Sequence, residues 1–242
     1  MSRTGFVPTM GALHAGHAAL IKAARKECDH VVVSVFVNPL QFNDPEDLKK
    51  YPRTPEADRE IALAAGATEV WFPKYEEIYP ETPQLIEAGP VGELFEGASR
   101  PGHFTGMLTV VKRLFDLVKP DFAVFGEKDF QQLFVIREMV KNFNLPIEII
   151  SYPIVRESDG LAMSSRNIRL SAEDRKKALV IYNALMAGRD ELRKVLDSEP
   201  AWKTDYATVI NPDNFKEEIA PKQRAIVAGW IGGVRLIDNM EY

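Results

Sequence analysis

The hydrophobic positions of the chain fall into short apolar runs separated by amphipathic stretches, and the first such change is the most informative. Phe6 and Val7 finish an apolar run. Pro8 to His17 then reads P-T-M-G-A-L-H-A-G-H, and beyond it Ala18, Leu20, Ile21 and Ala24 recur at the spacing of one helix face. A short buried strand, a turn at Gly11 and a helix opened by Gly16 and His17 are predicted. His30 to Val37 is β-branched and almost continuously apolar, as expected of a strand covered on both faces of a parallel sheet. A βαβ unit is thus complete near the start of the chain.

The pattern continues in the same alternation. A polar, Pro-rich excursion from Asn43 leads into a helix over Pro55–Ala65, which Gly66 stops, and Glu69–Phe72 supplies a third strand. Residues 73–105 show little periodicity and read as a long loop serving as a lid or an interface. Helical spacing returns over Gly106–Val118, then a strand at Phe122–Phe125, a helix at Phe130–Phe143 and a strand at Ile147–Tyr152. Pro153 marks a boundary. Beyond it one amphipathic helix is predicted over Ala172–Val195, followed by strands at Thr204–Ile210, Ala225–Ile231 and Val234–Ile237 in a small antiparallel sheet. The resulting fold class is α/β: a Rossmann-like, doubly wound parallel sheet over residues 1–154 and a smaller C-terminal α+β lid domain over residues 155–242.

Composition narrows the class. The chain has 242 residues, 45% hydrophobic, with a formal net charge of −5 and scattered Lys and Arg, so nucleic acid is not an expected partner. Cys28 is the one cysteine, which excludes an internal disulfide framework and a cysteine zinc site and fits a reducing cytoplasm. No apolar run reaches the ~20 residues of a membrane span, and no signal-peptide pattern precedes the first strand, so a cytoplasmic location without membrane attachment is expected.

The candidate chemistry sits where predicted strands end. His14 and His17 flank a helix start, where unpaired N–H groups and the helix dipole favour anions. The turn is neither a Walker P-loop nor a dinucleotide fingerprint. A helix cap or a packed core histidine fits the same residues. Asn38 and Gln41 lie just past the second strand, where Gln41 fits either a ligand with hydroxyl and carboxylate groups or a loop amide bonded to its own backbone. Tyr51, Arg53 and Asp58 are further candidates, with a solvated loop as the plainer account. Lys128, placed in the first turn of the following helix, opposes that helix's dipole and calls for an anion. Ser164, Ser165 and Arg166 offer hydroxyls and a guanidinium to phosphate oxygens, although a serine cap with a surface arginine fits them too. The layout of an H-x-G-H turn and a later Lys/Ser/Arg loop resembles that of nucleotidylyl transferases and class I aminoacyl-tRNA synthetases.

Taken together, the segments resemble one family more closely. P-T-M-G-A-L-H-A-G-H, F-V-N-P-L-Q-F, Y-P-R-T, R-P-G-H-F-T-G, F-G-E-K-D-F-Q-Q, D-G-L-A-M-S-S-R-N and the terminal R-L-I-D-N are similar, in this order, to motifs of the pantothenate synthetases (pantoate–β-alanine ligases). The resemblance implies an ATP-dependent condensation of pantoate with β-alanine through a pantoyl-adenylate, with magnesium and as a homodimer. It implies catalytic roles for His14, His17, Lys128, Ser164, Ser165 and Arg166. ATP contacts are implied for Pro8, Thr9, Met10, His17, Gly126, Lys128, Asp129, Val155, Met163, Ser164, Ser165 and Arg166, and pantoate contacts for Met10, Asn38, Gln41 and Gln132. Arg100 and His103 match motif positions without an assigned role, and the metal ligands stay unassigned. Another nucleotidylyl transferase of the same superfold is the competing reading.

Overall fold

A computed structural model describes residues 3–242. The chain divides into two compact units, one of residues up to Glu127 together with Gln131–Pro153, the other of Lys128–Phe130 together with Ile154–Tyr242.

The first unit is a parallel sheet with helical connections. Its elements in chain order are β1 (Thr4–Thr9), α1 (Ala15–Glu27), β2 (His30–Val35), α2 (Pro45–Lys50), α3 (Pro55–Ala64), β3 (Glu69–Trp71), α4 (Tyr75–Ile78), α5 (Glu96–Ser99), α6 (His103–Val118), β4 (Phe122–Gly126), α7 (Phe130–Asn142, whose first residue belongs to the second unit) and β5 (Glu148–Tyr152). The strand order is β3-β2-β1-β4-β5, all parallel. The order reverses at β1 and β4, and in open sheets of this kind ligands bind beyond the carboxyl ends of the strands at that point. Val7, Val31, Val33 and Phe122 are wholly buried and pack with Ile21 and Ala24 of α1 in one core cluster, and Phe6, next to Val7 on β1, is wholly buried too.

β1 runs further than its apolar residues suggest. It passes through Pro8 to Thr9, in register with Ser34 and Val35 of β2. The Thr9 carbonyl accepts from the Phe36 N–H on the β2 side, 3.0 Å away, so the Pro8 backbone faces β4, where the ladder has already ended at Phe6. A residue without an N–H costs nothing there. β2 in turn stops at Val35 rather than Val37, because its partner has turned away at Met10.

The long segment 73–105 is not a bare loop. It contains α4, α5 and a 3₁₀ turn at Pro90–Glu93, and it is tied down by side chains of the helices that follow. Gln131 donates to the carbonyls of Val91 and Leu94 at 2.7 and 2.8 Å and accepts from the Glu96 N–H at 3.1 Å; Arg113 Nε donates to the Ile78 carbonyl at 2.8 Å. α6 starts at His103, three residues earlier than its apolar period, because Gly102 in a left-handed conformation (φ +79°) turns the chain into it.

The second unit carries α8 (Ala172–Lys177), α9 (Val180–Ala187), α10 (Leu192–Asp197), β6 (Lys203–Ile210), β7 (Arg224–Ile231) and β8 (Val234–Glu241), the strands forming an antiparallel sheet in that order. The single helix expected over Ala172–Val195 is three. Ser171 caps α8, accepting from the Asp174 N–H at 3.0 Å, and Gly188 at φ +86° ends α9. The break lets Val180, Ile181, Ala184, Leu185, Leu192 and Leu196 all face one core with Val227 and Ile231, which one straight helix could not do. Among the described residues no helix is long and apolar enough to cross a membrane.

Candidate active site

The P-T-M-G-A-L-H-A-G-H segment is fixed from below by one buried carboxylate. Asp58, 1% exposed in the first turn of α3, accepts from the backbone N–H groups of Ala12 (3.1 Å) and Leu13 (2.7 Å) and from the Thr54 hydroxyl (3.1 Å). Gly11 adopts φ +85°, and a Cβ there would meet Asp58 Oδ2 at 2.8 Å, so conformation and space both call for glycine. Asp58, a candidate site residue in the sequence, shapes the turn. Tyr51 ends α2 with its ring edge-on to Phe42, and Arg53 lies exposed.

The two histidines are caps. His14 Nδ1 accepts from the Gly16 N–H at 3.1 Å, and His17 Nδ1 accepts from the His14 N–H at 3.3 Å, a reciprocal capping box in which imidazoles replace the usual serine and glutamate. A nitrogen that accepts cannot carry a proton, so each neutral ring bears its N–H at Nε2. The ring centroids are 4.2 Å apart. Cap and anion donor are therefore compatible roles for the same ring: the cap sets the tautomer that makes Nε2 a donor.

Around Gln41 a second set of contacts converges. Asn38 is wholly buried and its four hydrogen-bonding capacities go to protein groups: Oδ1 accepts from the Leu40 N–H and the Tyr79 hydroxyl, and Nδ2 donates to Gln41 Oε1 (3.2 Å) and the Gly106 carbonyl (3.0 Å). Burial and the neighbouring Tyr75 push the Tyr79 phenol far above its usual range. With Oε1 engaged, the Gln41 amide turns Nε2 toward Met10 Sδ, 3.1 Å away. A Cβ on Gly106 would lie 2.1 Å from the Leu40 carbonyl oxygen, so glycine at this position lets the Pro39–Gln41 turn press onto α6. Gln132, half-buried, is the third residue of α7.

His103 is the mirror case of the other two histidines. Its Nδ1 lies 2.9 Å from the Gln41 carbonyl, which can only accept, and its Nε2 lies 3.0 Å from Arg100, which can only donate. The proton thus sits on Nδ1. At 7% exposed this ring locks the Gln41 backbone. The sequence marked Arg100 and His103 as motif positions without revealing this service.

Lys128 lies in the 3₁₀ turn Glu127–Asp129 that precedes α7, not inside the helix as expected, so its opposition to the helix dipole is weaker than a place in the first helical turn would make it. Its side chain is 20% exposed, with the ammonium 3.8 Å from Asp129 Oδ2. Gly126 is the last residue of β4. In the unit that holds Lys128, Val155 and Met163 pair, the Met163 N–H donating to the Val155 carbonyl at 3.0 Å. The chain then enters Ser164, which caps the 3₁₀ turn Ser165–Arg169 by accepting from the Arg166 N–H at 3.2 Å. The serine-cap account of Ser164 is thus correct as far as its local bond goes. Ser165 and Arg166 are half-buried.

Cys28 ends α1 with its thiol donating to the carbonyls of Ala24 and His30, a structural place. Among the described residues no group of three His, Cys, Asp or Glu side chains is disposed to hold a metal ion.

The first unit is thus a parallel α/β fold whose first strand delivers an H-x-G-H turn at the sheet's reversal point, where sheets of this class hold their ligands. The family model for pantoate-beta-alanine ligase matches residues 1–241, and the chain belongs to that family. Pantothenate synthetase of Thermus thermophilus is 48% identical, the match covering 98% of this chain and 92% of that one. That of Acidothermus cellulolyticus is 49% identical over 97% of this chain and 84% of its own. The crystal structure of the Thermus enzyme superposes with a TM-score of 0.93 at 47% identity, covering 98% of this chain and 92% of that one. The pantoate-beta-alanine ligase of Francisella tularensis, solved with beta-gamma ATP and beta-alanine, superposes at 0.87 with 40% identity, covering 99% and 89%.

Proposed function

We propose that the protein condenses pantoate with β-alanine at the expense of ATP, and that it does so in two chemical steps. A pantoate carboxylate oxygen attacks the α-phosphorus, the bond to the β-phosphate breaks, and pyrophosphate leaves. The neutral β-alanine amine then attacks the acyl carbon, the acyl–oxygen bond breaks with AMP taking the electron pair, and the amide nitrogen gives up its proton. Neither step needs an enzyme nucleophile; both need alignment and donors where negative charge grows.

The observation that carries this reading is the reciprocal cap that His14 and His17 form through their Nδ1 atoms. Both caps leave the proton on Nε2, so two neutral donors stand side by side at the carboxyl edge of β1, suited to phosphate oxygens. Lys128, Ser164, Ser165 and Arg166 supply further donors to the phosphates, with Pro8, Thr9, Gly126, Asp129, Val155 and Met163 as their ATP-contacting neighbours. Gln41 Nε2 and Gln132 are assigned to pantoate oxygens and Met10 to its apolar part; Asn38, whose bonding capacity is spent on protein groups, acts by holding Gln41. Magnesium would be carried on the phosphates of ATP, as small hard cations commonly are, and would offset the negative charge of the pyrophosphate; Asp129, the carboxylate beside Lys128, is the residue that would help hold it. The reading extends to a homodimer, which light scattering tests.

The reaction is tested by exchange of labelled pyrophosphate into ATP. Exchange that requires pantoate but not β-alanine is expected, and strict dependence on β-alanine would exclude the separate adenylation step.

A further inference from the structure

Lys128 and the Ser164–Arg166 turn are distant in sequence, yet within the second unit they are held by two adjacent residues of one strand. Asn239 on β8, 2% exposed, donates from Nδ2 to the Lys128 carbonyl at 3.0 Å. Its Oδ1 accepts from Arg224 at 2.6 Å. A guanidinium only donates, so the amide cannot be reversed, and the donor aimed at Lys128 is fixed. Arg224 is itself held, donating to Glu241 at 3.0 Å with its guanidinium 4.1 Å from the centre of the Phe130 ring.

Asp238, 3% exposed, faces the other side of the strand, as successive strand residues must. It receives both arms of Arg156, at 2.7 and 3.0 Å, and the Asn239 N–H at 2.8 Å. Arg156 also donates to the Gly160 carbonyl at 3.0 Å, lies over the Tyr182 ring and pairs with Ala162 across an antiparallel bridge. This bridge closes the small hairpin of residues 155–163 that leads into Ser164. Asn167, just past Arg166, returns an amide donor to the Ala162 carbonyl at 3.0 Å. Burial alone pushes the Asp238 carboxyl upward in pKa, and the Arg156 fork opposes that.

We infer that Asp238 and Asn239 are positioning residues that set the Lys128 turn against the Ser164-Ser165-Arg166 turn, one side chain for each, with the Asn239 carbonyl accepting a further bond from Arg156 at 3.3 Å. The inference rests on the function proposed for this site, in which both turns bind ATP phosphates. A dipeptide of one carboxylate and one amide suits the task, because the carboxylate accepts an arginine fork while the amide donates to one partner and accepts from another. Donors misplaced by a fraction of an ångström lose much of their benefit in the transition state.

The test is a double-mutant cycle in the full chain, read by pantoate-dependent pyrophosphate exchange. Asn239→Asp keeps an acceptor for Arg224 and removes the donor to Lys128. It is expected to slow exchange on the order of tenfold, to leave the KM for pantoate unchanged, and to add nothing once Lys128 is alanine. An equal loss in both backgrounds, or a parallel rise in the pantoate KM, would overturn the inference while leaving the reaction intact. Normal exchange by Lys128→Ala alone would instead remove the reading on which the inference stands. Should Asn239→Asp fail to fold, Asn239→Ala, which leaves Arg224 its bond to Glu241, is scored in the same cycle against the same two outcomes.

Discussion

The histidine turn of the first unit and the cationic turns of the second are held in different ways. His14 and His17 are set by backbone groups two and three residues away. Lys128 is held by a side chain 111 residues further on, and Arg156, at the base of the Ser-Ser-Arg hairpin, by one 82 residues further on. The two imidazoles take their orientation from caps within their own few residues, and the turn that carries them rests on a single distant side chain, Asp58. A turn anchored by a buried ion pair and a shared amide depends on the whole small sheet, so distant substitutions reach it. Damage at the histidine caps should therefore stay confined, and damage to the small sheet should spread to both cationic turns.

The largest effects should come from removing the donors themselves. Lys128→Ala and His17→Ala are each expected to slow pyrophosphate exchange roughly a hundredfold, about 3 kcal/mol of transition-state stabilisation. His17→Gln sharpens the comparison, since glutamine at the third helical position can restore the reciprocal cap. Thermal melting near that of the native protein with exchange still lost is the expected pair of results; recovered exchange would mean that His17 acts as a cap only.

Next in size is the floor of the histidine turn. Asp58→Ala leaves the Ala12 and Leu13 N–H groups without their acceptor and should lower stability by about 2 kcal/mol, measured by denaturant unfolding. The same variant should lose exchange activity without altering chemistry at Lys128, checked by the additivity of Asp58→Ala with Lys128→Ala.

Smaller again is Gln41→Ala, expected to raise the pantoate KM about tenfold, the usual scale for one good hydrogen bond, with the KM for ATP unchanged. A parallel rise in both would place Gln41 in the support of the turn instead. The smallest effect concerns Asp159, beside the Ser-Ser-Arg hairpin, whose carboxyl the hydrogen bond from Arg175 holds below the ordinary carboxylate range. Because the native pKa is depressed, the pair stabilises above the unfolded-state pKa and its contribution disappears as pH falls through the native value. Its exposure limits the gain to a few tenths of a kcal/mol. Melting temperatures of the native protein and Asp159→Asn should differ slightly near neutral pH and converge in acid.

What the sequence made legible follows the same division. The strand–turn–helix at Pro8–His17, the parallel sheet and the small antiparallel sheet could be read because each rests on periodicity or on turn chemistry within a few residues. The extent of β1 was not legible, since Pro8 is tolerated only because the ladder to β4 ends at Phe6. Lys128 looked like a helix residue because no local signal separates a 3₁₀ turn from the first turn of α7. The break of Ala172–Val195 into three helices was hidden because all its parts are helical in composition, and the need to turn α9 and α10 onto one core shows only in the fold. The work of Asp58, Asn38, Arg156, Asp238 and Asn239 was hidden for a different reason. A buried polar side chain reads as a surface or ligand-binding residue until its partner, often tens of residues away, is known.

Attack of the pantoate carboxylate on the α-phosphorus of ATP is the step on which every assignment here depends. It is tested most directly by turnover of pantoate labelled with oxygen-18 in both carboxylate oxygens, followed by mass analysis of the products. AMP carrying one labelled oxygen and pantothenate retaining the other are the predicted products, because the bridging oxygen of the acyl-phosphate leaves with AMP. Unlabelled AMP would contradict the mechanism.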